Sequence, residues 1–356
     1  MRILDPGAGT GELLAAAARR RDDLELVGWD VDGEALAAAA ATVPGAALAE
    51  RSALDPWTGE PFDLVLGNPP YFQLRPTAAQ RRRFAPVISG RANVFAFFFQ
   101  TGLEVLRPGG RLAFIVPPSL NSGAYFEGLR EHVAANAEIE RLDVLEGTDL
   151  FEGANTAVQL IVLRKGSTGN AYRFERETPG TGFRRVIFTA DPAGLAACFE
   201  GRRTLWELGF EAVTGTIVWN QHRDALTTEP GGGPVPLFWS HNLRGGELVL
   251  GNRPGKPQYI RAPGAVTKGP AILVNRVVGA VGHGELRTAL VPEGEEFLAE
   301  NHVNVIRPRL LTERSVSWEE LDAMLKDPEA AERVRKLTGN TQISAKELTH
   351  LLPLGP

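Results

Sequence analysis

Short apolar runs alternate with helix-like stretches through roughly the first half of the chain. The apolar runs predict strands at 1–4, 24–29, 62–67, 111–116, 138–144 and 157–163. The stretches between them predict helices at 11–20, 33–42, 93–106 and 123–136. Strands that alternate with helices in this way are typical of an α/β fold, so this half of the chain predicts a doubly wound sheet.

The pattern changes at two glycine-rich turns, Gly166-Ser-Thr-Gly-Asn170 and Thr178-Pro-Gly-Thr-Gly182. Beyond them the chain consists of short strands and loops rich in Gly and Pro, with one amphipathic helix predicted near 317–337. We therefore predict two domains. Residues 1–170 form the α/β domain, and residues 171–356 form a second, strand- and loop-rich α+β domain.

Composition fits a chain that buries more than one core, because 43% of its 356 residues are hydrophobic. The single cysteine, Cys198, excludes an internal disulfide framework and a cysteine zinc site, and the six histidines have no metal-ligand spacing, so no metal is predicted. No apolar run reaches about 18 residues and no signal pattern opens the chain, so we expect a cytoplasmic protein without a membrane segment.

The net charge of −5 conceals local basic stretches. Residues 244–287 hold seven Lys or Arg against two acids, and an arginine cluster spans 75–91. Such stretches suit a surface that faces phosphate groups, although a solvated charged face remains the alternative. The candidate residues for such phosphate contacts are Arg81, Arg82, Arg83, Arg253, Lys256, Lys268 and Arg276.

The turn Asn68-Pro69-Pro70-Tyr71 combines an amide, a free carbonyl and an aromatic ring directly after the apolar run 62–67. The prolines fix their own φ and lack N–H groups, so the carbonyls of Asn68 and Pro69 have a fixed direction. An exocyclic NH2 group could donate one hydrogen to the Asn68 side chain and the other to the Pro69 carbonyl. Tyr71 would stack on the ring that carries the amine. A strand-ending turn with a buried tyrosine is the alternative.

A glycine turn, Asp5-Pro-Gly-Ala-Gly-Thr-Gly11, joins the first predicted strand to the first predicted helix. Its glycines let the backbone pass close to a ligand, and the helix that follows offers free N–H groups in its first turn. Nicotinamide and flavin enzymes share glycine-rich turns of this general kind. Here, however, a carboxylate opens the turn and the glycines lack the G-x-G-x-x-G spacing.

The second predicted strand ends at Asp30, about twenty residues after the glycine turn. A carboxylate at that edge of the sheet can accept both ribose hydroxyls of an adenosine. An ordinary strand-ending or helix-capping aspartate is the alternative. The glycine turn, the strand-end acid and the Asn-Pro-Pro-Tyr turn occur in this order along one chain.

Together these three motifs resemble those of the S-adenosylmethionine-dependent amino-methyltransferases, and more narrowly the adenine-N6 DNA methyltransferases of restriction–modification systems. The resemblance implies a Rossmann-like methyltransferase sheet followed by a target-recognition domain. It implies S-adenosyl-L-methionine as cofactor, double-stranded DNA as partner and a cognate restriction endonuclease as a further candidate partner. The implied cofactor-binding residues are Asp5, Pro6, Gly7, Ala8, Gly9, Gly11, Asp30, Val31, Ser52, Ala53 and Asn68. The implied catalytic residues, which hold the target adenine, are Asn68, Pro69, Pro70 and Tyr71.

Two positions extend the resemblance. Many members of this class carry an Asp where this chain has Ser52 and Ala53, which leaves the contact to the adenine of the cofactor open. A loop of the class supplies a second aromatic ring on the far side of the flipped base, and Phe151 matches its place. Phe151 and Tyr71 would then sandwich the adenine. A Phe151 that plugs the core under the sheet is the alternative.

The beginning of the chain departs from the resembling class, in which a segment before the glycine turn closes the methionine pocket. This chain begins four residues before Asp5, so we expect that lid segment to be missing. Either the start of the sequence is truncated or mis-set, or the protein binds the cofactor poorly. Two other functions stay open. One is a methyltransferase of a protein glutamine amide or an RNA base, and the other is a decayed, non-catalytic DNA-binding homologue.

Overall fold

The computed structural model describes residues 1–145, 158–276, 286–338 and 343–355. The chain divides into two compact units. The first unit comprises Met1–Arg176 with Arg184–Ala193, and the second comprises Glu177–Phe183 with Gly194–Pro356. The roles predicted for the two domains, and the boundary at residue 170, stay predictions.

The first unit is built on a sheet of seven described strands. They are β1 (Arg2–Asp5), β2 (Glu25–Asp30), β3 (Ala47–Glu50), β4 (Phe62–Gly67), β5 (Leu106–Val116), β6 (Ala137–Leu145) and β7 (Val158–Lys165). Their order across the sheet is β3-β2-β1-β4-β5-β7-β6. β1 to β5 pair in parallel, whereas β7 runs antiparallel to both β5 and β6. The predicted α/β fold with a doubly wound sheet is therefore confirmed.

The helices of the first unit connect its parallel strands. They are α1 (Glu12–Ala18), α2 (Gly33–Thr42), α3 (Ala78–Arg83), α4 (Val94–Val105) and α5 (Glu127–Asn136). α4 is buried along almost its whole length, and its phenylalanines belong to the same core cluster as Val65, Leu112 and Phe114 of the sheet. The aromatic stretch 93–99 thus packs on the sheet, as its composition predicts.

Three local features of the first unit differ from the sequence-based prediction. β3 and α3 were not predicted, because the short edge strand β3 and the helix α3 bury none of their residues. Residues 107–110, which lie between the predicted helix 93–106 and the predicted strand 111–116, are part of β5, which pairs with β4 through a register shift between Phe62 and Leu64. Gly109, with φ of 75°, provides the left-handed conformation within that irregular segment.

Short strands dominate the rest of the chain. They are β8 (Arg173–Thr178), β9 (Phe183–Phe188), β10 (Phe210–Thr214), β11 (Leu226–Thr227), β12 (Val235–Phe238), β13 (Leu243–Arg244), β14 (Glu247–Leu248), β15 (Tyr259–Ile260), β16 (Thr267–Lys268), β17 (Ala271–Asn275), β18 (Thr288–Val291), β19 (Glu296–Ala299) and β20 (Val303–Pro308). β8 and β9 pair with each other. In the second unit, β10-β20-β17-β18 form an antiparallel sheet, β11-β15-β12-β19-β16 form a mixed one, and β13 pairs with β14.

The helices of this part are α6 (Pro192–Ala197), α7 (Trp318–Lys326), α8 (Pro328–Thr338) and α9 (Ala345–His350). The prediction of a single helix near 317–337 is wrong, because the structure has two separate helices there, α7 and α8. Pro328 separates them, because its ring cannot continue a helix and it lacks the N–H that an unbroken ladder needs. Within the described ranges, no helix has the length and apolar character needed to cross a membrane.

Candidate functional site

Two backbone N–H groups of the glycine turn donate hydrogen bonds to residues at the end of β2. The N–H of Gly9 donates to the Asp30 carboxylate at 2.8 Å, and the N–H of Ala8 donates to the Trp29 carbonyl at 2.9 Å. Gly11 has φ of 85°, a left-handed conformation that L side chains rarely adopt, and directly precedes α1. The turn that sequence reasoning singled out is thus held against the strand-end acid.

Asp5 is buried at the end of β1, with 2% of its surface exposed. Its Oδ1 accepts a hydrogen bond of 3.1 Å from the N–H of Gly7. Burial raises the pKa of the Asp5 carboxyl to about 7, although the Gly7 hydrogen bond opposes this shift and the charge of Asp30 adds to it. Asp5 therefore changes its charge near neutral pH.

The ends of β1 and β4 meet at Asp5. A Cβ atom built on Gly67, the last residue of β4, would lie 3.2 Å from Asp5 Oδ1. Asn68 follows Gly67 directly, so the predicted amine-holding turn begins beside the buried acid. The two motifs, about sixty residues apart in the chain, are neighbours at one edge of the sheet.

Asp30 and Asp32 have separate local roles. Asp32 caps α2, because its side chain accepts from the N–H groups of Glu34 and Ala35 at 2.9 and 3.1 Å. The Asp30 carboxylate accepts the backbone N–H of Gly9 on one oxygen and the backbone N–H of Asp32 on the other. Each oxygen therefore keeps a further lone pair for another donor. The helix-capping alternative for the strand-end acid thus applies to Asp32. The following side chain, Val31, is 69% exposed and offers an open apolar surface.

Ser52 and Ala53 contribute less side-chain chemistry than sequence reasoning assigned to them. The Ser52 hydroxyl accepts a hydrogen bond of 3.1 Å from the N–H of Leu54, within its own turn. Ala53 is buried in the core of the first unit. The preceding N–H, of Arg51, donates to the Asp30 carbonyl at 2.8 Å and holds this segment beside β2. A ligand contact by Ser52 or Ala53 remains a prediction.

In the Asn-Pro-Pro-Tyr turn, Pro69 is buried and the other three residues are exposed. The Tyr71 hydroxyl lies within hydrogen-bond distance of the Asn68 side chain and 2.8 Å from the Ile115 carbonyl of β5. The Tyr71 ring meets Phe95 edge-on with 6.3 Å between centroids, and 40% of its surface stays exposed. Burial of the hydroxyl raises the pKa of Tyr71 to about 12, so the phenol stays protonated. The buried-tyrosine alternative does not describe this half-exposed ring.

The predicted second ring, Phe151, lies outside the described residues. Sequence reasoning missed another aromatic group, Phe72, which directly follows Tyr71 and is 54% exposed. Two aromatic residues in succession after the prolines were a signal that could have identified it. The Ile115 carbonyl could not have been identified, because a backbone group leaves no trace in the sequence.

The predicted DNA-binding arginines of the first unit fall into two groups. Arg83 is held inside the unit, since its guanidinium donates to the Leu54 carbonyl at 2.6 Å and pairs with Glu104 at 2.6 Å. A phosphate contact by Arg83 would have to break both interactions. Arg81 and Arg82 project from the same short helix and are exposed.

The predicted basic residues of the second unit also differ in their surroundings. Arg253 and Lys256 form a tight backbone turn, and Lys256 lies 5.5 Å above the Trp239 ring. Lys268 pairs with Glu296 at 2.9 Å, and Arg276 donates to the Asn301 carbonyl at 3.4 Å. In the part of the chain that the structure describes, no group of His, Cys, Asp and Glu could hold a metal ion.

Comparison with known proteins agrees with the motifs. The family model of the Eco57I restriction-modification methylases matches residues 46–151, which include the Asn-Pro-Pro-Tyr turn. Type II methyltransferase M.CvrRI of Paramecium bursaria Chlorella virus XZ-6E is 23% identical over 309 residues, covering 85% of this chain and 76% of that protein. Modification methylase CviBIII of Paramecium bursaria Chlorella virus NC1A is 25% identical over 261 residues, covering 70% of this chain and 61% of that protein.

Among solved structures, the type IIG restriction endonuclease BpuSI matches 99% of this chain and 55% of its own, at 14% identity and a TM-score of 0.45. The chain spans 76% and 61% of the lengths of the two modification methyltransferases given above. Residues 46–151 are similar to the Eco57I restriction-modification methylases, and most of the chain is similar in sequence to type II modification methyltransferases.

Proposed function

We propose that this protein is a DNA methyltransferase that moves a methyl group from S-adenosyl-L-methionine to the N6 amine of an adenine flipped out of double-stranded DNA. The family match and the type II relatives support the general class. The choice of adenine rests on the Asn-Pro-Pro-Tyr turn, because its two oxygen acceptors suit an exocyclic NH2 group. Modification of DNA within a restriction–modification system is the corresponding biological role.

The edge of the sheet fits the cofactor in shape and charge. A Cβ on Gly9 would meet no protein atom within 4 Å, so the backbone there borders open space that a ligand can enter. Asp30 retains acceptor capacity for ribose hydroxyls, and the exposed Val31 side chain can pack on an adenine ring. Asp5 supplies negative charge near a cofactor that carries positive charge on its sulfur and its amino group.

Asn68 and Pro69 hold the amine in this proposal. Hydrogen bonds from the NH2 group to their oxygens favour a pyramidal nitrogen whose lone pair is free to react. When bound, the cofactor would supply a methyl group on a positively charged sulfur, and the amine held by Asn68 and Pro69 would accept it as the carbon–sulfur bond breaks and would then lose one proton to solvent. The chain therefore needs no strong base, and orientation can contribute roughly 7–11 kcal/mol.

Tyr71 stacks on the flipped base, with Phe151 as the proposed second ring. The Tyr71 ring is partly exposed and contacts Phe95 edge-on. These two features support the stacking role, because Phe95 braces one side of the ring and another side is open. Stacking on an aromatic ring is worth about 1–3 kcal/mol per base. The energy offsets part of the cost of taking the adenine out of the duplex.

Contacts to DNA are assigned to basic side chains of both units. Arg81, Arg82, Arg253 and Lys256 are exposed, which leaves them available to phosphates. Lys268 and Arg276 remain candidates, although each already has a partner within the protein. Non-specific affinity for DNA comes largely from such contacts.

The single observation that carries the proposal is the contact between the two motifs at Asp5 and Gly67. The buried acid of the proposed cofactor side lies directly beside the residue that precedes Asn68. An amine held by Asn68 would therefore lie next to the cofactor, as a direct methyl transfer requires.

The test is expression of the protein in cells that lack adenine methylation, followed by sequencing of their DNA with a readout for N6-methyladenine. The expected result is methylation at one short recurrent sequence, and its loss in Asn68→Ala. Purified Asn68→Ala should still bind the cofactor in calorimetry. Methyl transfer only to RNA or to protein glutamine would contradict the substrate. No detectable cofactor binding by the wild-type protein would favour a decayed homologue.

A further inference from the structure

A cavity of about 580 Å³ in the first unit begins two residues after Tyr71. Three arginines line it, Arg75, Arg81 and Arg91, together with Gln73 and Gly90. These arginines come from three separate segments of the chain. The fold therefore brings three members of the arginine cluster at 75–91 to one cavity.

Two local structures hold the cavity in shape. The segments that carry Gln73 and Arg91 are joined by an antiparallel bridge between Gln73 and Asn93 and by a hydrogen bond of 3.0 Å from the Leu74 N–H to the Ala92 carbonyl. The helix α3 that carries Arg81 starts with a capping box formed by Thr77 and Gln80. The backbone positions of the three arginines are thus fixed by interactions other than their own.

In the part of the chain that the structure describes, no carboxylate compensates the positive charge of this cavity. None of its described lining residues is acidic, and none of its three arginines forms an ion pair there. Arg83, two residues after Arg81 on the same helix, provides the contrast because Glu104 neutralises it. Three guanidinium groups around one cavity repel each other, and an anion between them would relieve that repulsion.

We propose that this cavity binds a phosphodiester group of the DNA strand close to the flipped base. The planar fork of a guanidinium matches phosphate oxygens, and three of them can hold one phosphate and the sugar next to it. Because Gln73 follows Tyr71 by two residues, an anchored phosphate would fix the backbone on which the target base swings out. This inference rests on the proposed function and deepens it.

The chain offers a matched pair of variants. Arg81→Ala removes an arginine that lines the cavity, whereas Arg20→Ala removes an exposed arginine of the same unit that is not among the lining residues. DNA affinity is measured for both and for the wild type between about 50 and 200 mM salt. A lost phosphate contact flattens the salt dependence by about 0.9 in logarithmic slope, or about 3.5-fold in affinity over that range. Because the three arginines share one phosphate, Arg81→Ala, Arg75→Ala and Arg91→Ala should each flatten the slope by up to this amount, and Arg20→Ala should leave it unchanged.

A second measurement locates the contact. Duplexes that carry the recognised sequence receive one uncharged methylphosphonate at a time along the target strand. Wild-type protein and Arg20→Ala should lose affinity at the same one or two positions beside the target base. Arg81→Ala should lose less affinity there, because one of the three guanidinium contacts to that phosphate is already absent. If the affinity lost through Arg81→Ala and the affinity lost through a methylphosphonate add up at every position of the strand, the proposal is overturned.

Two further outcomes separate the possible failures. If wild-type protein methylates adenine but Arg81→Ala and Arg20→Ala have the same salt slope, the cavity proposal fails and the proposed function stands. If wild-type protein neither binds nor methylates DNA, the proposed function fails. Arg81-dependent binding of a mononucleotide, without any Arg81-dependent change in DNA binding, would assign the cavity to a free phosphate and overturn the DNA contact.

Discussion

The Tyr71 hydroxyl lies between the side chain of Asn68 and the backbone carbonyl of Ile115, within hydrogen-bond distance of both. A phenol has one hydrogen, and a carbonyl can only accept. The hydroxyl therefore donates to one of these two oxygens at a time, and its contact with Asn68 Oδ1 sets the direction of that side chain. When the hydrogen goes to the Ile115 carbonyl, Asn68 Oδ1 can accept from another donor such as an amine.

Replacing Tyr71 by phenylalanine should separate its two roles. Tyr71→Phe retains the ring for stacking but removes the hydroxyl that orients Asn68. A hydrogen bond contributes about 0.5–1.5 kcal/mol, so kcat on DNA should fall by about 2- to 10-fold while cofactor affinity stays unchanged. Tyr71→Ala, which also removes the ring, should lose more activity and bind DNA less tightly. Equal activity of Tyr71→Phe and wild type would contradict the orienting role.

Asp30 should contribute to cofactor affinity through its charge. Asp30→Asn loses one of the acceptors that hold the glycine turn and weakens the contact to ribose hydroxyls. Hydrogen bonds to charged groups are worth about 1.5–3 kcal/mol, which predicts a loss of roughly 10- to 100-fold in affinity by calorimetry. Asp32→Asn is the matched control, because asparagine caps a helix as well as aspartate does. Similar losses in both variants would mean that Asp30 acts only by supporting the local fold.

The buried Asp5 carboxyl should make both stability and cofactor binding depend on pH. Its pKa in the folded protein is about 7, above the ordinary 3.8, so between those values the folded chain keeps a proton that the unfolded chain has lost. The contribution of Asp5 to stability therefore declines as pH rises from about 4 to about 7. Denaturant titrations across this range should give a smaller decline for Asp5→Asn than for wild type.

Cofactor affinity should change with pH in the opposite direction. A positively charged cofactor favours the ionised form of Asp5, so wild-type affinity should rise as pH increases through about 7. Asp5→Asn should bind more weakly above that pH and show a flatter profile. Parallel pH profiles for the two proteins would mean that Asp5 does not face the cofactor.

Local chemistry made much of the first unit predictable from the sequence. The apolar runs identified six of the seven described strands because each of these strands buries several apolar side chains, whereas the edge strand β3 buries none of its four residues. The glycine and proline turns were identifiable because those residues dictate their own backbone conformation. Aspartate at strand ends indicated the edge where the motifs meet.

Contacts between distant residues could not be predicted in the same way. Arg83 belonged to an apparently uniform run of three arginines, yet Glu104, 21 residues later, holds it inside the fold. The Tyr71 hydroxyl lies within hydrogen-bond distance of the Ile115 carbonyl, 44 residues later in the chain. The convergence of Arg75, Arg81 and Arg91 on one cavity likewise depends on how α3 and its flanking segments fold together.

Gly9 and Gly11 offer a last test, because both have positive φ but only one has room for a side chain. A Cβ on Gly11 would lie 3.1 Å from the Cβ of Ala39 and 3.2 Å from Val43 Cγ1, whereas one on Gly9 would meet nothing within 4 Å. Gly11→Ala should lower the free energy of unfolding by about 1–3 kcal/mol, through strain and crowding. Gly9→Ala should cost less stability but should weaken cofactor binding, because its methyl group would enter the space assigned to the ligand. Unchanged cofactor affinity in Gly9→Ala would mean that the ligand does not pass over this turn.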